Sequence, residues 1–538
     1  MSMDKYTNII NDVQFSKLTL DVTQYPKALR HWEKLLNFLL NKAAPINKTI
    51  PPNVLGLITS TFDSMLFNFP YLENYHIDYA LFEYKLGNIS RFHQIFKRAL
   101  TIFNHRSLVL WVSYLRICNE IVIDTKQLFK KYEMAEASIG LHYHSGLFWE
   151  MYLNQLTLRC KTKQRYYIVL RKSLEVPMHA FSKFYAIWLR HIDEIRDFSE
   201  LPLIVSKEDL SNKLQIDLNF GGRRGPHLKE AKKTIKRYTK ELYMAVQAQV
   251  IEMYNLYESS ISTQFYTSPD TIIPSDEVDT WLEYTDYIAT LDISPLCHLT
   301  FQRALTTLAS LDIIWIKYAN WLMDIEDNYS FAKNILISGL NMSIRKSHIL
   351  KHLYSVLMKL DDLDSLESIL ETVNLSFQNN IESSEDFELF WDYIQFQIIL
   401  HNSTAKSRYE GKTEAALLPD TILTKIQYRI RNASDRKERD ALLNGILSLQ
   451  SKENTKVIER DIFQSIIDST LSDYTNEDIF WNKYSKLIFF DVGMTYLEKR
   501  KYIVTKIWPQ IPENLVSYEA VKEFALEYLP EDIGTLSK

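Results

Sequence analysis

"LDIIWIKYANWLMDIEDNYSFAKNILISGL", residues 311–340, sets Trp315, Tyr318 and Trp321 three residues apart, breaks at the polar "DIEDN" and resumes an apolar run at Phe331. Large residues at i, i+3 and i+6 share one side of a helix, whereas a strand would place them by a period of two. The stretch therefore predicts a helix, a short polar turn and a second helix. One such hairpin is unremarkable; recurrence of the same stripe along the chain would define a fold.

The stripe recurs. "HIDYALFEYKLGNISRFHQIFKRAL" (76–100) has His76, Tyr79 and Phe82, with Glu83 following. "LWVSYLRICNE" has Trp111, Tyr114 and Ile117, "FWEMYLNQL" has Trp149 and Tyr152, and "FSKFYAIWL" has Phe181, Phe184 and Trp188. Further on come Trp281, Tyr284 and Tyr287, then Phe390, Tyr393 and Phe396, then Trp481 and Tyr484. Adjacent copies are spaced by roughly 32 to 38 residues, the range of helical-hairpin repeats. A second apolar helix follows each stripe, as in 89–100, 163–174, 299–308 and 331–340, and two of these contain Arg-Ala-Leu, at Arg98 and Arg303. A single hairpin is too small to bury its own ridge, so the units are expected to stack into an all-α solenoid with the rings as its core.

Composition agrees. Glycine accounts for 12 and proline for 15 of 538 residues, while 46% are hydrophobic and 13% aromatic. Few glycines predict few turns at positive φ and argue against a sheet-rich chain. The net charge of −5 makes no case for nucleic-acid binding by the whole molecule. Cys118, Cys160 and Cys297 are odd in number and far apart, fitting neither a disulfide framework nor a zinc site and favouring a reducing compartment. No secretory signal and no membrane span are expected.

Periodicity breaks in "LPLIVSKEDLSNKLQIDLNFGGRRGPHLKEAKKTIKRYTKELY", where Gly221, Gly222, Gly225 and Pro226 cluster. The expected layout is an N-terminal repeat arm (1–194), a loop with a long basic amphipathic helix (195–273), and a C-terminal repeat arm (274–538) with a polar loop near 401–420. The arms are expected to be curved and to meet near the middle.

Residues 76–100 resemble the half-a-TPR, or HAT, repeat, whose first helix reads W-x-x-Y-x-x-x-E and whose second reads R-x-x-x-I-F-x-R-A-L. Tyr79 and Glu83 match, followed by Arg91, Ile95, Phe96, Arg98, Ala99 and Leu100; His76 stands where Trp is usual. The repeat at Trp315 keeps Tyr318 but has Leu322 at the glutamate position. The resemblance is strong in 70–190 and 278–345 and weaker in 346–380 and 415–475. By its length, two repeat blocks and interruption near 195–270, the chain is most similar to the paired HAT-repeat splicing scaffolds of the yeast U1 small nuclear ribonucleoprotein (U1 snRNP). That resemblance implies a nuclear, non-catalytic scaffold in 5′ splice-site recognition, with no cofactor, small-molecule substrate or membrane contact. It also implies a heterodimer with a related HAT protein through the C-terminal arm, and contacts to other U1 snRNP proteins through the N-terminal one. A HAT scaffold of mRNA 3′-end formation or ribosomal RNA processing is the alternative, and an all-helical metal-dependent enzyme the alternative of another class.

The candidate contact site lies in "GGRRGPHLKEAKKTIKRYTK" (221–240). Lys229, Lys232, Lys233, Lys236, Arg237 and Lys240 fall largely on one helical side, and Ala231, Ile235, Tyr238 and Leu242 on another. The apolar stripe would dock while the basic one, with Arg223 and Arg224, meets RNA phosphates or an acidic partner; a merely solvated face is the competing reading. Other motifs read as structure. "EGKTEAA" (410–416) has Lys406 where a phosphate loop needs glycine. "KLDDLDSLESIL" (359–370) has Ser365 where an aspartate-rich magnesium motif needs Asp, and it suits a helix N-cap. His142 and His144 lack further ligands at metal spacing, and no nucleophile arrangement is apparent.

Overall fold

The computed structural model describes residues 12–205, 210, 224–376, 390–399, 420–433, 436–449, 457–469, 471–515 and 519–536. Every regular element among them is helical. The N-terminal series is α1 (Val13–Gln24), α2 (Leu29–Ala43), α3 (Pro52–Asn68), α4 (Glu73–Lys85), α5 (Ile89–Ile102), α6 (Leu108–Ile121), α7 (Thr125–Ile139), α8 (Gly146–Arg159), α9 (Gln164–Leu174) and α10 (Phe181–Glu194). The long helix α11 (Arg224–Met253) runs into a π-helical turn, Tyr254–Glu258. Hairpins resume with α12 (Ser275–Thr290), α13 (Ser294–Thr307), α14 (Asp312–Asp324), α15 (Tyr329–Met342), α16 (Ser347–Lys359) and α17 (Leu363–Ser376). Beyond them are α18 (390–399), α19 (Asp420–Asn432), α20 (Arg436–Ser448), α21 (Val457–Asp468), α22 (Asp478–Phe489) and α23 (Glu519–Tyr528).

The helices bury one stripe each, as helical-hairpin repeats must. In α5 the stripe is Phe92, Ile95, Phe96, Ala99 and Leu100, and in α6 it includes Leu110, Trp111, Tyr114, Leu115 and Cys118. Ser107 starts α6 by accepting from Leu110 N–H at 3.1 Å, and Asp124 starts α7 by accepting from Lys126 N–H at 3.0 Å. These caps satisfy helix-end donors that would otherwise lack partners.

Two details sharpen the sequence expectation. In most hairpins the third buried member of the stripe is at i+7, although Phe82 and Trp321 at i+6 are also in the core. Cys118, Leu156, Ile288, Leu322 and Ile488 are each at most 1% exposed, whereas Ile117 and Tyr287 are only half-buried. Two helical turns take about 7.2 residues, so i+7 returns to the face while i+6 falls on its shoulder. Turns at positive φ are few, as the scarcity of glycine predicts. Among the described residues, however, most are made by other residue types, Asn104, His105, Asp292, Asp327 and Asp361, with Gly87 the one glycine. Asp and Asn tolerate the left-handed region because a short polar side chain can hydrogen-bond locally.

Packing divides the chain into two compact units: residues 1–318 with 341–344, and residues 319–340 with 345–538. In the first unit the hairpin residues 275–318 pack on the N-terminal repeats. Tyr71 meets Trp315 edge-on at 5.9 Å, and Asn104 donates to Gln302 at 2.9 Å. In the second unit Lys333 bonds Asp362, and Phe463 stacks on Tyr484 with centroids 5.1 Å apart.

Candidate functional site

The recurring tryptophan has two jobs. Its ring is core: Trp111, Trp149, Trp281, Trp315 and Trp481 are all buried, with Trp321 at the margin of burial. Its indole N–H ties the helix to the preceding turn. Trp32, Trp111, Trp315 and Trp481 each donate to the carbonyl six residues earlier, on Pro26, His105, Ala309 and Thr475, at 2.7 to 2.9 Å. His76 does the same through Nε2 to Pro70 at 2.9 Å. The departure from the repeat pattern at position 76 thus preserves the hydrogen bond while changing the ring. Burial lowers the His76 pKa to about 4, against the Pro70 bond, so the ring is neutral at physiological pH.

The recurring tyrosine stacks on a ring of the preceding helix. Pairs with nearly parallel planes are Phe62–Tyr79 (4.8 Å), Tyr132–Tyr152 (4.8 Å), Tyr257–Tyr284 (4.8 Å), Phe301–Tyr318 (4.6 Å) and Phe463–Tyr484 (5.1 Å). The residue after the stacking ring often takes the hydroxyl. Asp63 accepts from Tyr79 at 3.3 Å, Glu258 from Tyr284 at 2.9 Å and Gln464 from Tyr484 at 3.4 Å. Elsewhere the hydroxyl meets a cation or imidazole: Lys131 donates to Tyr114, Lys425 to Tyr393, and His298 bonds Tyr318. Glu83 is buried and accepts from Arg91 at 3.1 Å and Asn88 at 2.7 Å, joining α4 to α5.

The strongest polar cluster was not foreseen from the sequence. Glu258, at the end of the π turn, takes both Arg303 amino groups, at 2.6 and 2.9 Å, plus the Tyr284 hydroxyl. His144 Nε2 lies 3.6 Å away, and the Arg303 guanidinium sits 5.3 Å over Trp281. Burial alone would raise the Glu258 pKa; Arg303 and the hydrogen bonds of His144 and Tyr284 outweigh it and hold the carboxylate well below its usual range. Burial, helped by Arg303, keeps His142 neutral. His142 and His144 form the turn before Trp149, with the His144 backbone N–H donating to His142 Nδ1 at 3.0 Å, and His144 also bridges the N-terminal repeats to Glu258. The Arg303-Ala304-Leu305 motif was the only visible hint.

A crevice of about 260 Å³ beside this cluster is lined by Glu73, Ser107, His142, His144, Gln302 and Arg303 among others. Burial raises the Glu73 carboxyl pKa to about 7, against a hydrogen bond from Ser107. Ser107 is at the same time the N-cap of α6, and Arg303 is bound to Glu258, so these groups already hold the fold together.

The basic helix separates into two functions. Lys232 donates to the carbonyls of Asp193 and Ile195 at 3.0 and 2.6 Å, capping the C-terminus of α10, and Lys236 pairs with the Asp193 carboxylate at 2.5 Å. A cation at a helix C-terminus is favoured by the free carbonyls and the helix dipole. These two lysines therefore dock α11. Lys229, Lys233, Arg237 and Lys240 are exposed and have no ion-pair or hydrogen-bond partner among the described residues. The docking stripe also shifts. Ala231, Ile235, Thr239, Val246, Val250 and Met253 are buried, while Tyr238 is 40% exposed and Leu242 half-buried. Thr239 lies four residues beyond Ile235, with its hydroxyl bonded to the Ile235 carbonyl, and so needs no water. Arg224 opens α11, and Arg223 lies outside the described residues.

The remaining motifs have structural roles or lie outside view. Asp361 adopts φ 55° in the turn between α16 and α17; Asp362 accepts from Ser365 N–H at 3.2 Å and pairs with Lys333. "EGKTEAA" (410–416), with most of the polar loop at 401–420, lies outside the described residues, as does nearly all of 206–223. Among the described residues no helix is long and apolar enough to cross a membrane.

Residues 16–189 match the family described as PRP39 N-terminal HAT repeat, and residues 252–390 match PRP39 C-terminal HAT repeat. The U1 small nuclear ribonucleoprotein component PRP42 of Saccharomyces cerevisiae is 48% identical over 538 residues, spanning 100% of this chain and 99% of that protein. Pre-mRNA-processing factor 39 of Schizosaccharomyces pombe is 21% identical over 402 residues, covering 69% of this chain and 64% of its own length. The Homo sapiens factor of the same name is 21% identical over 342 residues, covering 57% and 48%.

Proposed function

The chain belongs to the HAT-repeat family of PRP39 and PRP42, and from that membership we propose that it is a non-catalytic scaffold of the U1 snRNP, acting in nuclear pre-mRNA splicing at 5′ splice-site recognition. The observation behind this reading is 48% identity along the full length to a protein named as a U1 small nuclear ribonucleoprotein component. The physics of the repeats supports it. Rings, signature tyrosines and the Arg-Ala-Leu arginines are engaged in holding hairpins together, which leaves extended helical surfaces as the means of action. The partners are a related HAT protein, engaged through the C-terminal arm, and other proteins of the particle. The exposed cations Lys229, Lys233, Arg237 and Lys240, with Arg223 and Arg224, form a contact surface for a polyanion, either RNA or an acidic protein segment.

Purification of the full chain through a tag from nuclear extract tests this, with identification of bound RNA and protein. The reading expects U1 RNA and a PRP39-like protein in near-equal amount. Cleavage factors or pre-ribosomal RNA in their place would assign the chain to 3′-end formation or ribosome assembly.

A further inference from the structure

Helix α11 presents a second line of residues to solvent. Lys229, Lys233, Arg237, Lys240, Met244, Ala248 and Ile251 follow spacings of 4, 4, 3, 4, 4 and 3, and all are exposed. This is an eleven-residue pattern of about 3.67 residues per turn, so the line stays on one side of a nearly straight helix. Its 22-residue span corresponds to about 33 Å at 1.5 Å per residue. The first half is cationic and unpaired. The second is apolar, with Met244 54% and Ile251 48% exposed, and Tyr254 (48%) lies about one turn beyond, at the start of the π turn. Glu230 and Glu241 are the acids within 229–251 and neither forms an ion pair among the described residues, while Glu252, next to Ile251, hydrogen-bonds Tyr287. The opposite side is fixed by buried Ala231, Ile235, Val246 and Val250 and by Lys232 and Lys236 on the end of α10. The outward line is therefore held rigid without having a partner of its own.

We propose that this line docks an amphipathic helix of a partner protein, acidic along one half of its contact side and apolar along the other. The inference rests on the scaffold reading and specifies what its basic surface takes. Charge and polarity decide among occupants. An RNA strand would neutralise the four cations but leave Met244 and Ile251 in water. A wholly apolar helix would cover those two and set four charges against hydrocarbon, at a desolvation cost. Only a partner with both halves satisfies the line along its length, in the manner of helix-on-groove recognition read through i, i+3, i+4 and i+7 anchors. The cations would govern encounter rate and register, and the apolar half would govern residence.

The test uses the full chain carrying a benzophenone amino acid at Ala248, in the particle purified through this chain. After photolysis the cross-linked species is sequenced. The expected product is a peptide with Asp or Glu and Leu, Met or Ile at helical spacing. Its yield should fall at least tenfold in a K233E/R237E/K240E variant, although the probe lies two turns or more from those positions, and co-purified U1 RNA and HAT partner should be unchanged. A cross-link to RNA, no cross-link, a peptide without acids, or a yield indifferent to charge reversal would each overturn the proposal. A tagged chain that brings down neither U1 RNA nor a HAT protein would instead defeat the scaffold reading, and this inference would fall with it.

Discussion

The α4–α5 and α12–α13 hairpins share a signature and use it differently. In the first, Asp63, Tyr79 and Arg98 form a triad: the acid follows the ring stacked on the tyrosine, and the arginine begins Arg-Ala-Leu. In the second, Glu258, Tyr284 and Arg303 repeat the arrangement residue for residue. The arginine side chain is 54% exposed in the first and 8% in the second, and the acid side chains are 41% and 2% exposed. The same letters thus make a solvated contact in one repeat and a sealed charge cluster in the other. Water decides the energetic weight: exposed pairs are screened, whereas a buried charge deprived of its partner faces the full desolvation cost.

The largest expected effect follows from that contrast. Arg303→Ala leaves Glu258 buried and uncompensated and should destabilise the protein by about 3–5 kcal/mol in urea unfolding, while Arg98→Ala should cost about 0.2–1 kcal/mol. If Arg303→Ala proved as mild as Arg98→Ala, burial would not be the deciding variable.

Acidity sharpens the comparison from another side. Glu73 has its folded pKa raised to about 7 from 4.5, so the folded protein holds more protons between those values. Stability should therefore fall as pH rises from about 4.5 to about 7, and the cost should persist above that range. Glu73→Gln should flatten this slope and raise stability at pH 8 by on the order of 2 kcal/mol. The Glu258 shift has the opposite sign. Its contribution is complete above the usual glutamate range and is lost as the pH falls through it towards the depressed folded pKa. Thermal unfolding from pH 4 to 8 of wild type and Glu73→Gln separates the two.

A smaller difference is expected between tryptophans. The Trp315 indole donates to Ala309 at 2.9 Å, whereas the Trp281 indole N–H is buried without an acceptor among the described residues. Trp315→Phe should therefore cost about 1 kcal/mol more than Trp281→Phe, because only the former breaks a hydrogen bond and leaves a carbonyl unpaired. The smallest effect belongs to the outer line of α11. Lys233→Glu with Arg237→Glu should move folding stability by no more than about 0.5 kcal/mol, since neither side chain has a partner to lose.

The hairpin fold was legible because its signal is local. A tryptophan, a tyrosine three residues on and an apolar position two turns along declare one helix side without reference to the rest of the chain. The ring beneath each tyrosine was not legible, because it sits in the preceding helix at separations that vary from Phe62–Tyr79 to Tyr257–Tyr284. Glu258 was hidden for the same reason and because a π turn shifts its register against the α-helical pattern. The basic run showed its charge but not its division of labour. Lys232 and Lys236 resemble their neighbours in sequence, and only the end of α10 beneath them reveals that they are docking groups. The apolar ring of Tyr238 places it on the docking side by sequence, yet the structure gives that position to Thr239, which bonds its own helix backbone.

Two double-mutant cycles in urea unfolding, Glu258 with Arg303 and Asp63 with Arg98, test most directly the claim that burial sets the weight of a shared signature. The expected coupling energy is about 2 kcal/mol or more for the first pair and below about 1 kcal/mol for the second. Equal couplings, or a larger one for Asp63 with Arg98, would contradict it.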